Sequence, residues 1–227
     1  MATALLAAAG TGERLGADTP KALVELAGRP MAWWSLRALA AAGGVDDVVI
    51  AAPAECVRHL EAVAAEAAPS LAARVVAGGA TRSDSVSLGL AEAGDAEIVI
   101  VHDAARPLVT AELFDRCVSQ LVNWGCDAVV AAARAVDTVK EADAGGRVIA
   151  TLERGRLWAV QTPQVFQART LARAFAAGDL GRAYDDAQLV EAAGGDVRIV
   201  EAPRQNFKVT TPHDLRVAAW LLEERGC

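Results

Sequence analysis

The chain has 227 residues, 53% of them apolar, and a formal net charge of −7. That length suits one domain with a sizeable core, and the acidic balance argues against a broad nucleic-acid surface. No uncharged apolar run is long enough to span a membrane, and the N-terminus enters a strand without a basic, cleavable leader, so a cytoplasmic location is expected.

The first predicted element is an apolar strand, Ala2 to Leu6 or Ala4 to Ala8, that runs into Ala9-Gly10-Thr11-Gly12-Glu13-Arg14-Leu15-Gly16, with Pro20-Lys21 close behind. A strand ending in a Gly-rich loop aims backbone N–H groups at an anion. Gly10 and Gly12 allow close approach of the main chain to phosphate oxygens. Arg14 and Lys21 set two cations beside the same anion. The glycine spacing, G-x-G-x-x-x-G, misses the dinucleotide fingerprint, and no Gly-Lys-Ser/Thr follows as in a Walker loop. A plain tight turn is the bland alternative.

Strands are then predicted at Asp47–Ala52, Ala73–Ala77, Ile98–His102 and Ala128–Ala132, as mostly continuous apolar runs. Helices are predicted between them near Met31–Ala42, Ala54–Ala67, Ser83–Ala93 and Ala111–Trp124. This alternation implies a mainly parallel sheet with right-handed crossovers, hence an α/β fold. Ligands of such sheets bind at the carboxyl ends of the strands. The Gly10 loop, Gly78-Gly79 and His102-Asp103 all fall at such ends and converge on one crevice.

Gly78-Gly79-Ala80-Thr81-Arg82-Ser83-Asp84-Ser85 opens the third helix. Ser83 or Asp84 serves as a cap on one reading; on the other, backbone groups and a Ser hydroxyl meet the edge of a nucleobase. Asp103, just past a buried strand, suits a Mg²⁺ ligand, since hard cations take carboxylate oxygens beside substrate phosphates. Arg106 either pairs with a phosphate or simply with Asp103. His102 reads as a packing or hydrogen-bonding residue.

The alternation stops between Arg134 and Val160. Asp137–Lys140 and Arg147–Thr151 flank the turn Asp143-Ala144-Gly145-Gly146, a β-hairpin pattern with few large apolar residues. It is expected to project as an arm of about 134–160, to need a partner to cover it, and so to make the protein a dimer. Thr138 and Arg154 on this arm read, alone, as solvated surface. Helices near Gln167–Ala177 and Asp185–Ala193, a strand at Val197–Glu201 and a helix near Pro212–Arg225 complete a single domain over 1–227. Thr211 caps the last helix with Pro212 at its first position. Only Lys21, Lys140 and Lys208 among the 22 basic residues are lysines. Asn206-Phe207-Lys208-Val209-Thr210 sets one of them at the mouth of that helix, where an anion is favoured. Cys56, Cys117, Cys126 and Cys227 lack paired spacing and are expected as free thiols.

Taken together, Ala-Ala-Gly-x-Gly-x-Arg with Pro20-Lys21, Val101-His102-Asp103-Ala104-Ala105-Arg106-Pro107, Trp158 leading to Gln161-Thr162-Pro163-Gln164, and Asn206-Phe207-Lys208-Val209-Thr210 resemble the 2-C-methyl-D-erythritol 4-phosphate cytidylyltransferases. The resemblance runs over nearly the whole chain. It implies a Rossmann-like nucleotidyltransferase fold, helices on both faces of a twisted sheet, and transfer of CMP from CTP to methylerythritol phosphate in non-mevalonate isoprenoid synthesis. A CTP-dependent transferase for ribitol 5-phosphate is the nearest alternative. A nucleotide-binding regulator without turnover and an NAD-linked dehydrogenase are more distant ones.

By that resemblance Arg14 and Lys21 stabilise charge on the triphosphate. Ala8, Ala9, Gly10 and Gly12 line the nucleotide with Ala104, Gly79 and Ser85 read cytosine, and Asp103 serves the metal, Mg²⁺, and the ribose region. Arg106, Thr138, Arg154, Lys208 and Thr210 position the acceptor phosphate, with Thr138 and Arg154 reaching the partner's site across a homodimer. Ala80 departs from relatives with a polar side chain there. A fused cyclodiphosphate synthase domain, present in some relatives, is not expected.

Overall fold

The computed structural model describes residues 1–12, 15–16, 19–180 and 183–226. In chain order the strands and α-helices are β1 (Ala2–Ala7), β2 (Glu25–Leu26), β3 (Arg29–Pro30), α1 (Met31–Ala41), β4 (Asp47–Ala52), α2 (Val57–Ala67), β5 (Ala72–Ala77), α3 (Arg82–Ala91) and β6 (Ile98–Asp103). There follow α4 (Ala111–Trp124), β7 (Ala128–Arg134), β8 (Lys140–Ala142), β9 (Val148–Thr151), β10 (Trp158–Gln167), α5 (Ala168–Ala177), α6 (Asp186–Ala192), β11 (Val197–Glu201) and α7 (Pro212–Glu224).

A seven-stranded sheet in the order β11-β7-β10-β6-β1-β4-β5 forms the centre. β1 pairs in parallel with both β4 and β6, and β5 and β11 extend the sheet in parallel at its two ends. Side chains alternate across β1: Ala2, Ala4 and Leu6 pack on one face with Leu36, Leu60 and Phe114 from α1, α2 and α4. Leu5 packs on the other with Val86, Leu171 and Val190 from α3, α5 and α6. The two-sided burial explains why these strands read as unbroken apolar runs. α7 seals a third cluster with Leu26, Met31 and Trp34.

One strand of the central sheet escaped the sequence reading, as did the short β2–β3 pair. β10 lies in mid-sheet, antiparallel to both β6 and β7. Gln161, Thr162, Pro163 and Gln164 disrupt any apolar period there, yet Gln161, Thr162 and Gln164 are buried. Their polar groups are met by partners distant in sequence: Asn206, Asp103 and Asp185. The pairing with β7 slips between Val160 and Gln164, as at a bulge, and the Thr162–Pro163 peptide there is cis.

The predicted arm is narrower than drawn. Arg134 ends β7, and Trp158 to Val160 pair with it and its neighbours, so residues 135–157 leave the sheet. The arm's first strand is Lys140–Ala142, not Asp137–Lys140. The turn stands as read: Asp143 Oδ1 accepts from the backbone N–H of Gly145 and Arg147, at 2.9 Å each. The second helix begins as a 3-10 turn, Ala54–Cys56, before α2. Cys56, Cys117 and Cys126 are buried free thiols; Cys227 lies outside the described residues.

Candidate active site

The carboxyl ends of β1, β5 and β6 open onto a cleft of about 510 Å³, to which Ala8, Ala9, Gly10, Gly12, Lys21, Gly79, Ser85, Asp103, Ala104, Lys208 and Thr210 all contribute. β1 is where the chain's progress across the sheet reverses, with β4 and β5 to one side and β6 to the other, the position at which open α/β sheets bind ligands.

Backbone bonds tie the cleft loops to the strand ends. Ala8 N–H donates to Ala51 O at 2.8 Å, Gly78 N–H to Ala52 O at 2.7 Å, and Lys21 N–H to Gly10 O at 3.1 Å. Gly12 sits at φ +81°, a left-handed conformation that glycine adopts without penalty, and a Cβ there would press within 3.2 Å of the Lys21 backbone. Lys21 is therefore held by the loop it faces. Arg14 lies outside the described residues.

The second glycine loop is closed by its own polar groups. Ser85 Oγ accepts from Gly79 N–H at 3.1 Å and donates to Thr81 O at 2.9 Å. The cap of α3 is Thr81, neither Ser83 nor Asp84. Asp84 N–H donates to Thr81 Oγ1, and Asp84 returns the bond by accepting from Thr81 N–H, a capping box. A Cβ on Gly79 would collide with Asp84.

Asp103 is the electrostatic centre. Its Oδ1 lies 2.9 Å from Arg82 Nε, its Oδ2 2.9 Å from Lys208 Nζ, and Arg106 Nε is 3.8 Å from Oδ2. Burial works against the charge of this carboxylate, but Arg82 and Lys208 outweigh it and hold the carboxyl well below the usual carboxylate range. The Val209 N–H bond to Ala105 O, 2.8 Å, brings the segment bearing Lys208 alongside. Thr210 turns to the helix end, its Oγ1 donating to Asp214 at 2.8 Å.

A second shell of polar groups sets this centre. Asp103 N–H donates to Thr162 Oγ1 at 3.1 Å, which lies 3.0 Å from His102 Nδ1. His102 is fully buried beside Phe114. Burial pushes its pKa down to about 3, so the ring is neutral, as a packing residue should be. Asn206, also fully buried, donates from Nδ2 to Gln161 Oε1 and Thr162 O, at 2.8 and 2.9 Å. Arg106 donates from Nη1 to Asn206 O at 3.0 Å, on the segment that carries Lys208, while its Nε approaches Asp103.

Arg82 was not singled out in the sequence, although it stands inside the second glycine motif. It lines the cleft and joins Asp103 to Asp186, its Nη1 lying 2.8 Å from Asp186 Oδ2. No local pattern reveals that partner, which lies 104 residues away. Thr138 and Arg154, by contrast, are exposed on the arm and line no part of this cleft; Arg154 Nη1 donates to Val136 O at 2.7 Å.

No group of three or more His, Cys, Asp or Glu side chains stands ready for a metal among the described residues. Asp103 is the sole carboxylate among the cleft-lining residues named. Such a set cannot cage a cation alone. It does match Mg²⁺, which takes one or two protein carboxylates and completes its octahedron with phosphate oxygens and water.

A mainly parallel sheet with a phosphate-sized glycine loop, cations and a lone carboxylate at its strand ends defines an α/β nucleotidyltransferase. The comparisons narrow the class. The family model described as 2-C-methyl-D-erythritol 4-phosphate cytidylyltransferase matches residues 2–224. A protein of that name from Nocardia farcinica is 49% identical over 98% of this chain and 94% of its own. One from Rhodococcus jostii is 46% identical over 97% and 95%. The crystal structure of 4-diphosphocytidyl-2C-methyl-D-erythritol synthase from Anaerococcus prevotii superposes with a TM-score of 0.85 at 27% identity, covering 98% of both chains. The enzyme titled 2-C-methyl-D-erythritol 4-phosphate cytidylyltransferase from Thermus thermophilus gives 0.77 at 34%, covering 97% of this chain and 98% of its own. The chain belongs to the 2-C-methyl-D-erythritol 4-phosphate cytidylyltransferase family and is a cytidylyltransferase. No helix among the described residues is long and apolar enough to cross a membrane.

Proposed function

We propose that this cleft carries out its family's reaction through the residues named above: the phosphate of methylerythritol phosphate attacks the α-phosphorus of CTP, giving CDP-methylerythritol and pyrophosphate. The attacking phosphate monoester has a second pKa of about 6 and is mostly a dianion at neutral pH. It needs no general base. His102, the histidine beside Asp103, is neutral and sealed, in agreement with this.

The barrier is repulsion between a dianion and a triphosphate. Lys21 and Arg14 offset the charge that builds on the triphosphate; Lys208, with Arg106, receives the acceptor phosphate. Groups fixed in place before reaction act without reorganising, which is where such sites gain most of their rate. Gly79 and Ser85, whose hydrogen bonds shape the second glycine loop, line the cleft where the cytosine is read, and Ala8 to Gly10 with Ala104 line the nucleotide. Asp103 is the residue that would hold a divalent cation, Mg²⁺. When bound, that ion neutralises phosphate charge and orients the chain of phosphates.

The arm gives the reading its quaternary half. Val148 and Ile149 on it are 54% and 62% exposed, as expected of a ribbon that a second copy covers. Thr138 and Arg154 then act in the partner's cleft, in a homodimer of single-domain chains. The observation that carries the assignment is the Lys208–Asp103–Arg82 cluster at the end of β6, which lines the same cleft as Lys21 and the glycine loop. The test is pyrophosphate release from CTP with each acceptor in turn. Release with methylerythritol phosphate far above that with ribitol 5-phosphate supports the reading; the reverse preference, or no release with either, overturns it.

A further inference from the structure

Asp186 is the most deeply buried acid in the neighbourhood of the cleft, its side chain 1% exposed. It opens α6 and binds the Arg82 Nη1 through Oδ2. Its other oxygen, Oδ1, is buried with no hydrogen-bond partner among the described residues. An unmatched acceptor of this kind is costly and calls for a reason. The Arg82 guanidinium is shared: Nε goes to Asp103 at 2.9 Å while Nη1 goes to Asp186 at 2.8 Å. Asp103 thus has Arg82 and Lys208 directly on it in the resting cleft, with Arg106 at 3.8 Å, and all three repel a divalent ion seeking the same carboxylate.

We propose that Asp186 is a positioning residue that takes over the Arg82 guanidinium when Asp103 turns to a divalent cation. Its unmatched Oδ1 is the vacancy that receives the donor released from Asp103. Arg82 then remains on the cleft wall, charged and oriented, without occupying the carboxylate that the metal requires. This inference rests on the reading of Asp103 as the metal-holding residue.

The experiment follows Mn²⁺ binding to the enzyme–CTP complex by water-proton relaxation, with folding checked by circular dichroism. Asp186→Asn should weaken Mn²⁺ binding about tenfold, the scale on which neighbouring charged groups couple. Arg82→Gln removes the competitor and should bind Mn²⁺ at least as tightly as the wild type. In the Arg82→Gln background, Asp186→Asn should then change nothing. Wild-type Mn²⁺ affinity in folded Asp186→Asn overturns the proposal. So does a loss in the double variant relative to Arg82→Gln, which would mean that Asp186 acts by its own charge; this comparison decides the matter if Asp186→Asn alone fails to fold. Asp103→Asn separates the two layers: unchanged Mn²⁺ binding there removes the metal reading of Asp103 itself, whereas weakened binding there with no effect at Asp186 removes only this inference.

Discussion

Lys21 owes its place to two features of the chain, the Pro20 that precedes it and the backbone bond from its own N–H to Gly10 O. On the proposed function this anchored cation meets the charge that grows in the transition state. Lys21→Ala is therefore expected to lower kcat by roughly 10²- to 10³-fold, the usual cost of removing one aimed group, with a much smaller change in the KM for CTP. Steady-state kinetics at saturating acceptor separates the two. Equal losses in kcat and affinity would assign Lys21 to ground-state binding instead. Asp103 shows a different residue-scale lesson. Its carboxylate is a structural hub bound by Arg82 and Lys208, and of its partners only Arg106 was legible from the sequence.

At the scale of elements, helix ends matter more than helix faces. α3 and α7 both begin with a Thr cap and an Asp three residues later, and both stand at the cleft margin. In α7, burial works against the Asp214 charge, but the hydrogen bonds from the backbone and side chains of Thr210 and Thr211 together outweigh it and hold its pKa down to about 2, from an ordinary 3.8. A depressed carboxylate pKa stabilises the fold wherever the unfolded carboxyl is ionised, and that contribution fades as pH falls from the unfolded value through the folded one. The stability gap between the wild type and Asp214→Asn is thus expected to be full above about pH 5 and to shrink steadily toward pH 2. Urea unfolding across that range measures it; a gap independent of pH would show that the ionised cap contributes nothing. The same helix end brings the Lys208 segment against β6, so loss of the cap is also expected to reach the cleft.

For the whole molecule, the question is where Thr138 and Arg154 act. In one chain they stand on an exposed ribbon away from the cleft, while Val148 and Ile149 await cover. If arms cross between two copies, a mixture of Arg154→Ala and Lys21→Ala chains forms heterodimers in which one site carries both lesions and the other neither. Activity is then expected to return on mixing two inactive preparations, measured as CDP-methylerythritol formed. Persistent inactivity of heterodimers purified with two different tags would confine each site to a single chain.

By itself the sequence determined the α/β architecture, because continuous apolar runs can be buried only between two helical layers. It determined the two glycine loops and the acid at the end of β6 as well, since these depend on local backbone freedom and on strand ends sharing one edge of a parallel sheet. The tertiary structure alone decided the rest. β10 holds Gln161, Thr162 and Gln164 in mid-sheet because Asn206, Asp103 and Asp185 satisfy them there, and no local pattern announces a polar strand rescued by distant partners. Arg82 gained its role in the same way: a guanidinium beside a helix cap is unremarkable until folding sets one buried carboxylate on each side of it. Hydrogen bonds and ion pairs act over about 3 Å in space, whatever their separation along the chain.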